Sequence, residues 1–94
     1  MGAVVTWVSG RVVADRQHEV TEAYAEGIAA GLPPAIDQTM LIRDGDELSI
    51  VTVWPRREDL EAILASDEEP FARRLIRQAG GTPSVRILEL VARS

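Results

Sequence analysis

Several segments of this chain have the pattern of β-strands that are apolar on both faces, which limits the folds available to it. In residues 47–54 the alternating sets are Leu48, Ile50 and Trp54 on one face and Val51 and Val53 on the other. In residues 85–92 they are Val85, Ile87 and Val91 on one face and Leu88 and Leu90 on the other. Because successive side chains of a strand point to opposite faces of its sheet, both faces of this sheet need to be covered.

The predicted elements follow the order β-α-β-β-α-β, the arrangement of a ferredoxin-like split βαβ domain. They are a strand at 4–8, a helix that begins at Asp15 and ends at Gly31, strands at 35–43 and 47–54, two helical segments between 55 and 80, and a strand at 85–92. The Asp44-Gly45 pair predicts a hairpin between the second and third strands. The second helix is expected to be broken, because residues 66–69 resemble a capping box. We therefore expect a single α+β domain over residues 1–94 with an antiparallel four-stranded sheet.

A monomer of this kind covers one face of its sheet with helices and has no further element for the other face. At ~25 cal/mol per Å2, leaving several large apolar side chains in water would forgo several kcal/mol. A second copy of the chain can cover that face. We therefore predict a homodimer whose two sheets pack face to face. The candidate interface residues are Trp7, Val51, Val53, Leu88 and Leu90.

The composition excludes several classes of function. Cysteine is absent, which excludes disulfide scaffolds, thiolate catalysis and sulfur-ligated metal sites. The net charge of -5 argues against non-specific binding to nucleic acid, which depends on clustered Lys and Arg. No apolar run approaches the ~18 residues of a membrane span, and no signal-peptide pattern is seen, so we expect a cytoplasmic protein without a membrane partner. The joint absence of Lys and Asn is typical of a GC-rich bacterial genome.

Three stretches of the sequence resemble those of a known family. They are Gly31-Leu32-Pro33, the hairpin at residues 40–46, and residues 50–62, in which a strand that ends in Trp54 is followed by a charged helix start with Glu58-Asp59-Leu60. In these respects the chain resembles the antibiotic-biosynthesis-monooxygenase-like members of the dimeric α+β barrel superfamily. The resemblance implies pairing as a dimeric barrel and a cofactor-independent monooxygenase that acts on a hydrophobic or aromatic small molecule. Arg56 stands where such sequences usually place a serine.

Four residues are candidates for a ligand pocket in this fold: Tyr24, Trp54, Gln38 and Thr52. Tyr24 lies on the buried stripe of the first helix, where its hydroxyl needs a polar partner. Trp54 either forms the wall of a pocket for a flat ligand or fills the core. Gln38 and Thr52 are polar residues of otherwise apolar strands. Each of them is expected to line the same pocket or to be an exposed residue of the sheet.

The residues do not identify a catalytic group, so the catalytic residues stay unassigned. His18, the sole histidine, is predicted to face water, and it makes no recognisable metal site with the scattered carboxylates. No metal and no cofactor are expected. The alternative to an enzyme is a homodimer that binds a small molecule without turnover, or an accessory homodimer with a solid interior.

Overall fold

The computed structural model describes residues 3–66 and 68–92, which form a four-stranded antiparallel sheet and its helices. The elements are β1 (Val4–Arg11), α1 (Gln17–Ala29), β2 (Gln38–Asp44), β3 (Glu47–Trp54), α2 (Arg57–Leu64), α3 (Phe71–Gln78) and β4 (Ser84–Glu89). The strand order is β2-β3-β1-β4, so that β1 and β3 are central. The predicted α+β ferredoxin-like fold with a broken second helix is confirmed.

Several boundaries in the first half of the chain differ from the prediction. β1 continues through Ser9 and Gly10 to Arg11 instead of ending at residue 8. A 3-10 turn at Ala14–Arg16 precedes α1, which therefore begins at Gln17, and Asp15 belongs to that turn instead of capping the helix. β2 begins at Gln38 rather than at residue 35, because residues 33–36 form a turn closed by a backbone hydrogen bond of 3.0 Å.

The break in the second helix is real, but the predicted capping box does not start the new helical segment. Ser66 Oγ accepts a hydrogen bond from the backbone N–H of Glu68 at 3.1 Å, which closes a short turn. Asp67 lies outside the described residues. α3 begins only at Phe71, because the backbone of the preceding Pro70 is extended. No side chain caps this helix start.

The predicted Asp-Gly hairpin sets the register of β2 against β3. Gly45 has a φ of 63°, a left-handed conformation that glycine adopts without steric cost. From this turn the strands pair Asp44 with Glu47 and, further out, Thr39 with Thr52. The turn therefore decides which side chains of β2 share a face with those of β3.

The helices pack against one face of the sheet. On that face the register aligns Val4 with Trp54, Thr6 with Thr52, and Val8 with Ile50. The larger core cluster consists of Val8, Val12, Val20, Leu48, Ile50, Leu75, Ile76 and Ala79. A smaller cluster consists of Val4, Trp54 and Leu60. The two clusters lie at opposite ends of the sheet-helix interface, and this separation leaves room between them.

The opposite face of the sheet is also apolar, as the alternation predicts. It carries Val5, Trp7, Met40, Ile42, Val51, Val53 and Leu88, none of which belongs to either core cluster. We call this set the open face. Met40 and Ile42 are 39% and 43% exposed, whereas Val51 and Val53, in the central strand, are buried. Leu90 follows the end of β4 and is half-buried. None of the described helices is long and apolar enough to cross a membrane.

Candidate functional site

A cavity of about 370 Å3 lies between the sheet and the helices, in the gap between the two core clusters. Its floor is formed by side chains of β1, β2 and β3: Thr6, Val8, Thr39, Ile50, Thr52 and Trp54. Its roof comes from the segment after α1, from α2 and from the start of α3: Leu32, Pro33, Ile36, Leu60, Ile63, Leu64, Pro70, Phe71 and Ala72. The volume is in the range of small-molecule sites, and the lining is mostly apolar with a few polar groups, as such sites require.

Trp54 is the largest side chain of the floor, and it is held in place. It is buried and packs with Val4 and Leu60 in the smaller core cluster. Its indole N–H donates a hydrogen bond of 3.0 Å to the hydroxyl oxygen of Thr6, a diagonal neighbour on β1. Trp54 thus fills part of the core and also forms a wall of the cavity.

A row of threonines crosses the floor beside Trp54. The strand register places Thr39, Thr52 and Thr6 next to one another on β2, β3 and β1. The hydroxyl oxygens of Thr39 and Thr52 are 3.1 Å apart, a hydrogen bond in which either group can be the donor. We call these residues the threonine row. The floor therefore combines an aromatic wall with a line of hydroxyl groups.

The start of α3 provides the aromatic and charged part of the lining. The ring of Phe71 lies against Gly27 of α1 so closely that a Cβ at Gly27 would collide with it. The guanidinium carbon of Arg74 lies 5.8 Å from the centroid of the same ring, a cation-π contact. Leu32 and Leu64 are partly exposed around the cavity, as Phe71 is, and the three mark its opening to solvent.

Arg73 and Arg74 are the ionisable residues among the described lining of the cavity. Neither makes an ion pair with any described residue, whereas Arg11, Arg16 and Arg77 each pair with a carboxylate. The chain as a whole has a net charge of -5. Two neighbouring positive charges without a carboxylate partner therefore give this opening a local potential that favours anions.

Two of the four predicted pocket residues line the cavity. Trp54 and Thr52 do, but Tyr24 packs against the larger core cluster. The cavity lies further along the chain, at Gly27 near the end of α1 and at Gly31 after it. Gln38 pairs with Val53, which places it on the other face of the sheet, where it is exposed.

Sequence reasoning did not identify several other lining residues, and only one of them, Thr39, had a signal in the sequence. Counting outward from the Asp-Gly turn pairs Thr39 with Thr52 and places Gln38 on the opposite face. The contributions of Thr6, Phe71 and the two arginines had no such signal, because they depend on how the helices cross the sheet.

The predicted interface residues are also largely brought together. Trp7, Val51, Val53 and Leu88 share the open face, which is separated from the cavity by the thickness of the sheet. Leu90 instead lines a second concavity, of about 550 Å3, with charged residues of both signs at the start of α2 and at the end of β4.

His18 is exposed on α1 and does not line the cavity. Its neighbours form an ion pair, in which the Arg16 guanidinium donates to both carboxylate oxygens of Glu19 at 3.0 Å. The hydrogen bonds from Arg16 lower the pKa of Glu19, and those to Glu19 raise the pKa of Arg16. Within the described residues, no group of His, Asp or Glu side chains is placed to hold a metal ion.

No protein-family model matches the sequence, and a comparison with curated proteins gives no match. Solved structures, in contrast, are similar over nearly the whole chain. SnoaB, a cofactor-independent oxygenase from Streptomyces nogalater, has a TM-score of 0.69 at 17% identity, with 100% of this chain and 96% of SnoaB covered. A proposed antibiotic biosynthesis monooxygenase from Nitrosomonas europaea has a TM-score of 0.75 at 15% identity, with coverage of 100% and 96%.

A third structure, a proposed antibiotic biosynthesis monooxygenase from Chloroflexus aurantiacus, has a TM-score of 0.67 at 16% identity, with 98% of this chain and 96% of that chain covered. Identities this low carry the architecture and not the activity. The resemblance noted in the sequence is thus confirmed at the level of the fold: the chain has the ferredoxin-like α+β fold of the antibiotic-biosynthesis-monooxygenase-like proteins.

Proposed function

We propose that the protein binds a hydrophobic, aromatic small molecule in the cavity and oxidises it as a cofactor-independent monooxygenase. The observation that carries the proposal is the cavity itself, about 370 Å3 in volume and walled by Trp54. A rigid indole on one side and the ring of Phe71 at the opening suit a flat ligand that stacks on aromatic faces. The similarity in fold to SnoaB, a cofactor-independent oxygenase, supports the same reaction class.

Such a reaction requires few functional groups from the protein. An anthrone-like phenol loses a proton of its ring methylene to solvent water, and the resulting anion transfers electrons to O2. One oxygen atom then replaces the two hydrogens of a ring methylene as a carbonyl oxygen, and the other leaves as water. The positive charges of Arg73 and Arg74 would favour the anionic form of the substrate. The apolar lining would exclude water from the oxygenated intermediate.

Binding without turnover is the second candidate function, and one observation favours it. The described residues that line the cavity include no carboxylate, imidazole or phenol that could act as a general base. Tyr24 packs elsewhere, and His18 is exposed on α1. Under this alternative the homodimer sequesters or carries the ligand unchanged.

Two measurements distinguish the candidates. Saturable quenching of tryptophan fluorescence by an anthrone-like phenol, lost in Trp54→Phe and kept in Trp7→Phe, would establish binding in the cavity. Oxygen consumption with the same compounds would then establish turnover. Binding without oxygen uptake would select the second candidate. Quenching that is lost in Trp7→Phe but kept in Trp54→Phe would place the ligand elsewhere and contradict both.

We also propose that the open face pairs with the open face of a second copy. Its apolar side chains run across all four strands, and Met40 and Ile42 are well exposed in the single chain. A contiguous apolar patch of this kind is rare on monomers. Sheet-to-sheet packing in a two-fold dimer would bury the same patch on both copies. A solution mass near 10.3 kDa would contradict this proposal.

A further inference from the structure

The hydrogen bonds of the threonine row leave hydroxyl hydrogens without an acceptor among the described residues. A threonine hydroxyl has one hydrogen to donate and two lone pairs to accept with. Thr6 accepts the indole N–H of Trp54 at 3.0 Å, so this bond uses a lone pair and not the hydroxyl hydrogen. No described residue accepts a hydrogen bond from Thr6.

The same count applies to the other two members of the row. Thr39 and Thr52 share one hydrogen bond of 3.1 Å, which uses one of their two hydroxyl hydrogens. The second hydrogen also has no acceptor among the described residues. Thr6 and Thr52 are only 7% and 6% exposed, and all three residues line the cavity. The floor therefore has two hydrogen-bond donors to offer to whatever occupies the cavity.

We propose that the threonine row binds an oxygen atom of the ligand that is purely an acceptor, a ring ketone or a phenolate oxygen. The inference rests on the proposed binding of an aromatic molecule in this cavity, and it names the group by which that molecule is selected. A buried donor that loses water and gains no acceptor weakens binding. A planar ketone that enters the cavity satisfies the donors, and a hydrocarbon of the same shape leaves them unpaired.

The geometry also orients the ligand. The threonine row lies on the sheet beside Trp54, whereas Arg73 and Arg74 belong to α3 on the other side of the cavity. A ligand oxygen held at the row places the ring against the indole of Trp54. Negative charge elsewhere on the ligand then faces the arginines. The row is thus a specificity-determining element rather than a set of catalytic groups.

Fluorenone and fluorene provide the test, because these rigid three-ring molecules differ only in a carbonyl in place of a methylene. Their Kd values are measured by equilibrium dialysis, which does not depend on tryptophan fluorescence. The informative variants are Trp54→Phe, which keeps the Thr6 hydroxyl, and Thr6→Val/Trp54→Phe, which removes it without leaving a buried indole N–H unpaired. Far-UV circular dichroism establishes that both variants fold. Thr21→Val, on the exposed side of α1, is the control.

We expect the ratio of the fluorene Kd to the fluorenone Kd to be about three- to tenfold smaller in Thr6→Val/Trp54→Phe than in Trp54→Phe. Thr21→Val should leave the wild-type ratio unchanged. The same ratio in Trp54→Phe and in the double variant, with both probes still bound, would overturn the inference and leave the proposed binding function intact. If neither probe binds to the wild-type protein, the proposed function and this inference fail together.

Discussion

At the scale of single residues, the hydrogen bond between Trp54 and Thr6 links the stability of the fold to the shape of the cavity. Both residues are buried, and the bond of 3.0 Å joins the end of β3 to the middle of β1. Removing the acceptor of a buried hydrogen-bond donor destabilises the fold, whereas removing both partners destabilises it much less. This asymmetry gives a prediction that involves no ligand.

We expect Thr6→Val to lower the free energy of unfolding by about 1–3 kcal/mol, because it leaves the indole N–H of Trp54 without its acceptor. In the Thr6→Val background, Trp54→Phe should cost less than it does in the wild type. The coupling is measured by urea denaturation of the four proteins of a double-mutant cycle. Strictly additive effects of the two substitutions would show that the hydrogen bond contributes nothing.

A second prediction at this scale concerns the Arg16–Glu19 ion pair. Hydrogen bonds from Arg16 lower the pKa of Glu19 below its ordinary value of 4.5. A carboxylate whose pKa is lower in the folded state contributes stability above the pKa of the unfolded state, and this contribution is lost as the pH falls through the folded value.

Glu19→Gln should therefore destabilise the protein at pH 7 and have less effect at a pH below the pKa of Glu19. Thermal unfolding across this range measures the difference, with the exposed Glu26→Gln as a control. If the difference in thermal stability between wild type and Glu19→Gln grew on acidification, the lowered pKa of Glu19 would be contradicted. Both partners are solvent-exposed groups, so the effect should also weaken at high salt.

At the scale of elements, the helix ends depend on glycines with positive φ and on side chains from neighbouring elements. Gly80 follows α3 with a φ of 92°, and Gly31 follows α1 with a φ of 101°. Arg16, in the turn before α1, donates to the carbonyl of Gln78 at 2.8 Å, which satisfies an unpaired group at the end of α3. This contact joins the two helices through a side chain that also pairs with Glu19.

We expect Gly31→Ala and Gly80→Ala each to cost about 1–2 kcal/mol, because an L-residue is strained at positive φ. A Cβ at Gly31 meets no other atom, whereas one at Gly80 would lie 2.7 Å from a guanidinium nitrogen of Arg16. Gly80→Ala should therefore cost more than Gly31→Ala, and the excess should vanish in an Arg16→Ala background. Equal costs in denaturant melts of the two variants would show that Arg16 moves aside freely.

The order of the elements could be predicted from the sequence because strand alternation, the Asp-Gly turn and the helix breakers are local signals. Helix starts were harder to predict, although Asp15 and Ser66 both have side chains that can cap a helix. Asp15 lies in the 3-10 turn before α1, and the Ser66 hydroxyl accepts a hydrogen bond within a short turn before α3. The cavity was only partly predictable. Trp54 and Thr52 follow from their places on β3. Tyr24 does not line this cavity, and the sequence could not show this, because the crossing point of α1 over the sheet depends on packing.

At the scale of the whole molecule, the alternation of side chains along β3 gives the two faces of the sheet different roles. Thr52 and Trp54 point to the cavity, whereas Val51 and Val53 belong to the open face. A sheet with apolar side chains on both faces can therefore hold a ligand on one side and a second subunit on the other. Because the two surfaces share strands but no side chains, the proposed dimer interface and the proposed ligand site are expected to be separable by mutation.

Ile42→Asp provides the test of that separation. Ile42 is 43% exposed on the open face, so a carboxylate there is tolerated in a single chain but would be buried without a partner in the proposed dimer. We expect the wild-type protein to have a mass near twice 10.3 kDa in sedimentation equilibrium and Ile42→Asp to have a mass near 10.3 kDa. Val13→Asp, at an exposed position outside the sheet, should keep the wild-type mass.

The ligand affinity of the Ile42→Asp monomer then decides whether the cavity is complete in one chain. None of the described residues that line the cavity belongs to the open face, so the proposed interface and the cavity have no side chain in common. The affinity for fluorenone in the folded variant should therefore stay within about twofold of wild type, since sites without shared contacts behave additively. Loss of binding together with loss of the dimer, in a variant whose circular dichroism is unchanged, would mean that a second copy supplies part of the site.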